Sequence, residues 1–335
     1  MIRLGTRASA LALAQAQLVA DRLPSARLVP ITTAGDRGSR DDKSRFVKEI
    51  EEALLEGSVD LAVHSAKDVP GELPDGLSIV GVPSRADALD ALCGALSLDA
   101  LEGGSVVGTA SVRRRAQLLA LRPDLDVREL RGNVDTRLRR LADGEFDAIV
   151  LARAGLVRLG RSDDGTALAE LVPAPGQGCL VLEARSDDEA VREAAASLTD
   201  EDALCALTAE RALVTALEAT CNTPIGAWAR RGPEAGAERD DAPREGPLRE
   251  HPPLEGPHRD DPLREDPPRG GALPDDPPLR LTAFVGLPDG SHWIRDELDG
   301  DAADPAALGR AVAGRLEAAG ARELLAEAER VAAAG

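Results

Sequence analysis

Residues 105–152, SVVGTASVRRRAQLLALRPDLDVRELRGNVDTRLRRLADGEFDAIVLA, decide the fold. SVVGT reads as a short strand, SVRRRAQLLALR as a helix, DVRELR as a strand, NVDTRLRRLADG as a helix and DAIVLA as a buried strand. The N-terminal stretch repeats the scheme. IRLG is a strand, a helix follows from about Ser9 to Leu23, RLVPIT is a strand, and FVKEIEEALLEG is an amphipathic helix ended by Gly57. VDLAVHS is then a buried strand running into the turn AKDVP. Such alternation predicts α/β domains with largely parallel sheets, whose ligands bind at the carboxyl ends of strands near helix N-termini.

From about Thr199 the pattern changes. The long helix EDALCALTAERALVTALE precedes Cys221, the strands PIGAWAR, LRLTAFVG and SHWIRDEL follow, and helices near 305–318 and 321–333 close the chain, which predicts an α+β domain. Residues 232–278 interrupt it. Twelve of these 47 residues are proline and nineteen are charged, with Arg and Pro recurring every five residues. So few bulky apolar groups cannot offset the entropy of ordering, and the expectation is a disordered insertion in a hairpin loop.

Composition excludes several classes. The five aromatic residues, Phe46, Phe146, Phe284, Trp228 and Trp293, leave the cores to Leu, Val, Ile and Ala. A formal net charge of −19 argues against a nucleic-acid-binding face and fits a salt-rich cytoplasm. No apolar run approaches the roughly 18 to 20 residues of a membrane span, and MIRLGTRASALALAQAQ has no leader pattern, so a cytoplasmic protein is expected. Cys93, Cys179, Cys205 and Cys221 form no CxxC pair, which predicts neither a metal site nor a disulfide framework. Against 37 arginines stand only Lys43, Lys48 and Lys67, all within 25 residues, which points to positions that need a compact ammonium.

Four segments place cations or free backbone amides where a strand meets a helix or turn. They are Gly5–Ser9 with Arg7, Gly108–Arg114 with Thr109 and Ser111, Arg131–Arg137, and His64–Pro70 with Ser65, Lys67 and Asp68. Together they predict one anion cleft for a polyanionic, carboxylated ligand, because arginine forks match carboxylates. Consecutive helical residues diverge by about 100°, so Arg113, Arg114 and Arg115 cannot all face it.

TRASALALAQAQ, FVKEIEEALLEG, DLAVHSAKDVP, VVGTASVRRRAQL, LRGNVDTRL, DAIVLARAGLVRLG, PGQG and TCNTPIGAWA resemble, in order, the signatures of the hydroxymethylbilane synthase (porphobilinogen deaminase) family. They span nearly everything outside the insertion. The resemblance implies a transferase of porphyrin and heme biosynthesis. It condenses four porphobilinogen molecules head to tail on a covalent dipyrromethane cofactor, releases ammonia, and hydrolyses off the linear tetrapyrrole. By motif position it implies attachment of dipyrromethane to Cys221 and acid–base work by Asp68. It also implies that Arg7, Ser9, Lys43, Ser65, Lys67, Thr109, Ser111, Arg113, Arg114, Arg131 and Arg137 hold the carboxylates, with Lys43 and Phe46 on a mobile loop. This chain departs from the pattern at Arg40-Asp41-Asp42, where glycines are usual, and at Ala219-Thr220 before the cysteine.

The expected architecture has three domains. Two are similar doubly wound α/β domains like those of periplasmic binding proteins, one from 1–84 with 176–198 and one from 85–175. A smaller α+β domain, 199–335, presents Cys221. The enzyme is expected to be a monomer. The rival reading is a non-enzymatic solute-binding protein of similar architecture, because fold alone does not separate the two.

Overall fold

The computed structural model describes residues 1–33, 47–219, 223–232 and 277–334. Cys221, Lys43 and Phe46, and nearly all of the 232–278 insertion lie outside the described residues.

The first sheet contains β1 (Ile2–Arg7), β2 (Ala26–Ile31), β3 (Leu61–Ser65), β4 (Leu77–Gly81) and, from later in the chain, β10 (Leu180–Arg185), in the order β2-β1-β3-β10-β4. The second contains β5 (Asp90–Cys93), β6 (Val106–Gly108), β7 (Asp126–Arg128), β8 (Ala148–Ala152) and β9 (Thr166–Leu168), in the order β7-β6-β8-β5-β9. In each, three parallel strands are followed by one strand antiparallel to them, and the edge strand pairs antiparallel with that one. Helices α1 (Ala10–Ala20) and α2 (Lys48–Leu55) make the crossovers of the first sheet, and α3 (Val112–Leu121) and α4 (Val134–Ala142) those of the second. Short helices α5 (Arg153–Arg158) and α6 (Glu189–Ala196) follow β8 and β10. The α/β alternation read from the sequence is present. The returning and edge strands β4, β5 and β9 are not foreseen by it, because short antiparallel segments between turns carry little periodicity.

Local chemistry sets the helix starts. Ser9, Ser111 and Asn133 accept side-chain hydrogen bonds from the N–H groups of Ala12, Arg114 and Thr136, each satisfying a donor that the first helical turn leaves orphaned. The central strands are mostly apolar and buried, with His64 on β3, Glu183 on β10 and Asp90 on β5 the buried exceptions, so both faces are covered. Leu4, Val19, Leu61 and Leu182 pack on one face of the first sheet and Ile50, Leu54 and Ala62 on the other. Leu118 and Val150 pack on one face of the second, and Leu138, Phe146 and Ile149 on the other.

The third unit joins α7 (Glu201–Ala216), the antiparallel meander β11 (Ile225–Arg231), β12 (Leu279–Gly286) and β13 (Trp293–Gly300), and helices α8 (Pro305–Ala318) and α9 (Ala321–Ala334). Leu213, Leu281, Val285, Val312 and Leu316 form its core. Among the described residues no helix is long and apolar enough to cross a membrane.

The chain leaves the first sheet after Gly81 and returns before Leu180. The two crossings touch. Ala86 N–H donates to Gly178 O at 3.2 Å, and Arg85 Nε donates to Gln177 O at 3.0 Å. Gly178 has φ +87, and a Cβ there would fall 2.3 Å from Ala86 O, so both backbone and space demand glycine. Arg85 also pairs with the fully buried Glu210 of α7 at 2.6 Å, and Glu210 accepts from Gly176 N–H and Ala229 N–H. One carboxylate thereby ties both crossings to the third unit.

Candidate active site

The carboxyl ends of β1, β3 and β8 meet the returning crossing around a cleft of about 100 Å³. Arg7, Ser9 and Gln15 line it from β1 and α1, Ser65, Lys67 and Asp68 from the end of β3, Arg158 from α5, and Gly176, Gly178 and Cys179 from the crossing.

The β3 end is a built turn. Residues Ala66–Asp68 make a single 3₁₀ turn, closed by Val69 N–H donating to Ala66 O, and Ala66 N–H donates to Cys179 O. Val69 is extended because Pro70 follows, which stops helix continuation and leaves Asp68 at the lip. Gln15 Nε2 donates to Ser65 Oγ at 3.1 Å, and Lys67 Nζ donates to Gln177 Oε1 at 3.2 Å. The half-buried Asp68 carboxylate makes no ion pair or hydrogen bond with any described residue, so the adjacent lysine does not occupy it.

Gln177 reaches across. It is buried, and its Nε2 donates to Ala88 O and to Asp90 Oδ1 at 2.9 Å. Asp90, fully buried, pairs with Arg113 Nη2 at 2.8 Å and with Arg114 through Nε at 2.9 Å and Nη2 at 2.8 Å. Burial alone would push the Asp90 carboxyl up, but the two guanidiniums and the Gln177 amide outweigh it and hold it at about 2. A continuous path of polar contacts therefore runs from Lys67 in the first unit to Arg113 and Arg114 in the second.

The structure sorts the expected site residues into groups. Arg7, Ser9, Ser65, Lys67 and Asp68 share the cleft. Arg113 and Arg114 are buried on Asp90 and do not line the cleft. Arg115 donates to Val127 O, away from both. Thr109 and Ser111 build the start of α3, Thr109 Oγ1 accepting from Ser111 N–H and Ser111 capping Arg114 N–H. Arg131 is exposed and pairs with Glu129. Arg137 donates to Gly132 O at 2.7 Å and has no carboxylate partner among the described residues. Desolvation, then repulsion from Arg114, lowers it to about 10. Arg158 donates to Gly178 O and also lacks a described carboxylate partner, and burial lowers its guanidinium. Sequence reading missed Gln15, Arg158, Gln177 and Asp90. Gln15 alone leaves a trace, as a polar residue on the Ala12–Ala16–Val19 face of α1.

Residues 2–193 match the family model described as porphobilinogen deaminase, dipyromethane cofactor binding domain. The porphobilinogen deaminase of Thermus thermophilus is 41% identical over 339 residues, covering 98% of this chain and 99% of its own. That of a Roseiflexus species is 42% identical over 340 residues, covering 96% and 98%. Among solved structures, a periplasmic substrate-binding protein of an ABC transporter from Coxiella burnetii aligns over 61% of this chain and 94% of its own, with TM-score 0.38 and 18% identity. The chain belongs to the porphobilinogen deaminase family.

Proposed function

We propose that the cleft between the two α/β units is where this transferase joins porphobilinogen units, with Asp68 handling the protons and the surrounding cations holding the carboxylates. The activity is that of hydroxymethylbilane synthases: four porphobilinogen molecules are condensed head to tail with loss of ammonia, and the linear tetrapyrrole is hydrolysed free. The cofactor of the family is dipyrromethane, which supplies the pyrrole to which the growing chain is joined.

The observation that carries this reading is a charge pattern. In the cleft, Arg158 is a desolvated guanidinium with no described carboxylate partner and Asp68 a carboxylate with no described cation partner, and Arg137, outside the cleft lining, is a second such guanidinium. A group whose pyrroles carry acidic side chains and N–H donors satisfies both. Guanidinium forks bind carboxylates, and an unoccupied carboxylate accepts from pyrrole N–H groups. The residues present thus fit dipyrromethane, with Arg7, Lys67 and Arg158 placed for its carboxylates and Ser9, Ser65 and Gln15 as neutral donors around them.

Asp68 opposes the positive charge that develops on pyrrole nitrogen and takes the proton released when aromaticity returns. Arg113 and Arg114 share one carboxylate, so their pair leaves one net positive charge buried beside the site and favours an anionic ligand at a distance. Thr109 and Ser111 hold the helix start that carries those arginines. Arg131 and Lys43 complete the binding set in this reading, and Cys221 is the attachment point. The division of the chain into 1–84 with 176–198, 85–175 and 199–335, a cytoplasmic location and a monomeric state belong to the same proposal.

Intact mass tests it. The purified protein should exceed its sequence mass by one dipyrromethane unit and give a pink colour with Ehrlich's reagent, and Cys221→Ser should lose both signals together with activity. A fully active protein of unmodified mass contradicts the reading.

A further inference from the structure

Three ionisable side chains are shut in together behind the Asp68 turn. Along β3, Ala62 and His64 share one face, and on the paired strand β10 so does Glu183, opposite Ala62. Helix α2 lies over this face and contributes Glu51. Glu51 is 7% exposed, His64 4% and Glu183 1%. His64 Nε2 lies 3.0 Å from Glu183 Oε2, yet His64 Nε2, both oxygens of Glu183 and Glu51 Oε1 are buried without a hydrogen bond. His64 also lines the cleft, together with Arg7, Lys67, Asp68 and Arg158, and the charged groups on α2 and β10 are engaged elsewhere or repel. Glu52 of α2 reaches out to Lys48, and Arg185 of β10 donates to Leu54 O and pairs with Asp188. No lysine or arginine among the described residues pairs with the cluster.

Counting charge decides its state. With no proton shared, the three groups carry two negative charges. With one proton they carry one, and with two they carry none. Burying net charge without a counter-ion is far costlier than holding a proton. We propose that Glu51, His64 and Glu183 form a positioning cluster that carries two protons in the working enzyme. It holds an imidazolium–carboxylate pair between β3 and β10 and a neutral Glu51 acid on α2, and it fixes the strand end bearing Asp68 against the helix that follows residues 34–46. The link to turnover rests on the assignment of Asp68, while the protonation of the cluster stands on its own geometry.

The electrostatics agree in direction. Burial first, then repulsion from Glu183, push the Glu51 carboxyl up to about 7, with His64 acting the other way. Its folded value lies above the ordinary carboxylate value. Its contribution to stability is therefore full below that ordinary value and is lost as the pH rises through about 7.

Glu51→Gln tests this, because it keeps the shape and cannot lose a charge-determining proton. Melting temperatures of parent and variant should agree near about pH 4 and separate near about pH 8.5, with the variant higher. Infrared spectra of the parent near about pH 6 should show the carbonyl band of a buried protonated carboxyl that the variant lacks. The kcat profile of the parent should fall on the alkaline side of about 7, with KM little changed, and that of the variant should not. A variant that melts lower at every pH, or a parent without the band, overturns the protonation. Superimposable kcat profiles overturn the positioning role. Loss of the Asp68 assignment would leave the infrared and melting results standing, so the two failures are distinguishable.

Discussion

The two α/β units share one sheet pattern and carry different contents at the same places. After the first of the three parallel strands comes Arg7 with the Ser9 cap in one unit, and Thr109 with the Ser111 cap in the other. After the third of them the units diverge. β3 runs into a 3₁₀ turn that strands Asp68 at the cleft, whereas β8 passes directly into α5, which delivers Arg158. The difference is local. Pro70 bars a helix after Asp68, and no such residue follows Ala152. The acids differ too. Asp68 is free of described partners, and Asp90 is committed to Arg113 and Arg114. One scaffold is thus divided between proton chemistry in the first unit and positive charge in the second.

The largest expected effect breaks the second unit. Asp90→Asn leaves two buried guanidiniums without their counter-ion, and uncompensated buried charge costs about 3–5 kcal/mol of stability. Chemical denaturation would read this directly. The same pair predicts acid sensitivity. The folded carboxyl sits at about 2, below its ordinary value of 3.8, so its contribution is present above that value and is lost as the pH falls toward about 2. Asp68→Asn, by contrast, should leave the melting temperature unchanged.

A smaller effect sharpens the comparison on the binding side. Arg137→Gln and Arg158→Gln should each raise KM about tenfold, the scale of a charge-assisted hydrogen bond, with less change in kcat because a carboxylate remote from the reacting carbon is held throughout. Each also gives up one hydrogen bond to a backbone carbonyl, so stability should fall by no more than about 1 kcal/mol. A drop in stability with KM unchanged would make these arginines structural and move the anion site elsewhere.

Much of this division is legible in the sequence. The βαβ alternation, the caps Ser9, Ser111 and Asn133, and the Pro70 that ends the Asp68 turn are all local signals, written in residues a few positions apart. The buried partnerships are not local. Asp90 meets Arg113 and Arg114 across more than twenty positions, and Gln177 meets Lys67 across 110. A surface arginine and a buried one look alike in a string of letters, so the burial of Arg113 and Arg114 on Asp90 is not readable from them. Nothing local singles out Arg158 until α5 is seen to bring it to the cleft.

In this reading Asp68 carries the proton chemistry from a turn it does not stabilise. Single-turnover kinetics of Asp68→Asn, with a melting curve on the same sample, test it most directly. The Asn variant should melt like the parent, still take up porphobilinogen, and turn over at least about a hundredfold more slowly, with Asp68→Glu in between. Near-normal turnover by the folded Asn variant would contradict it.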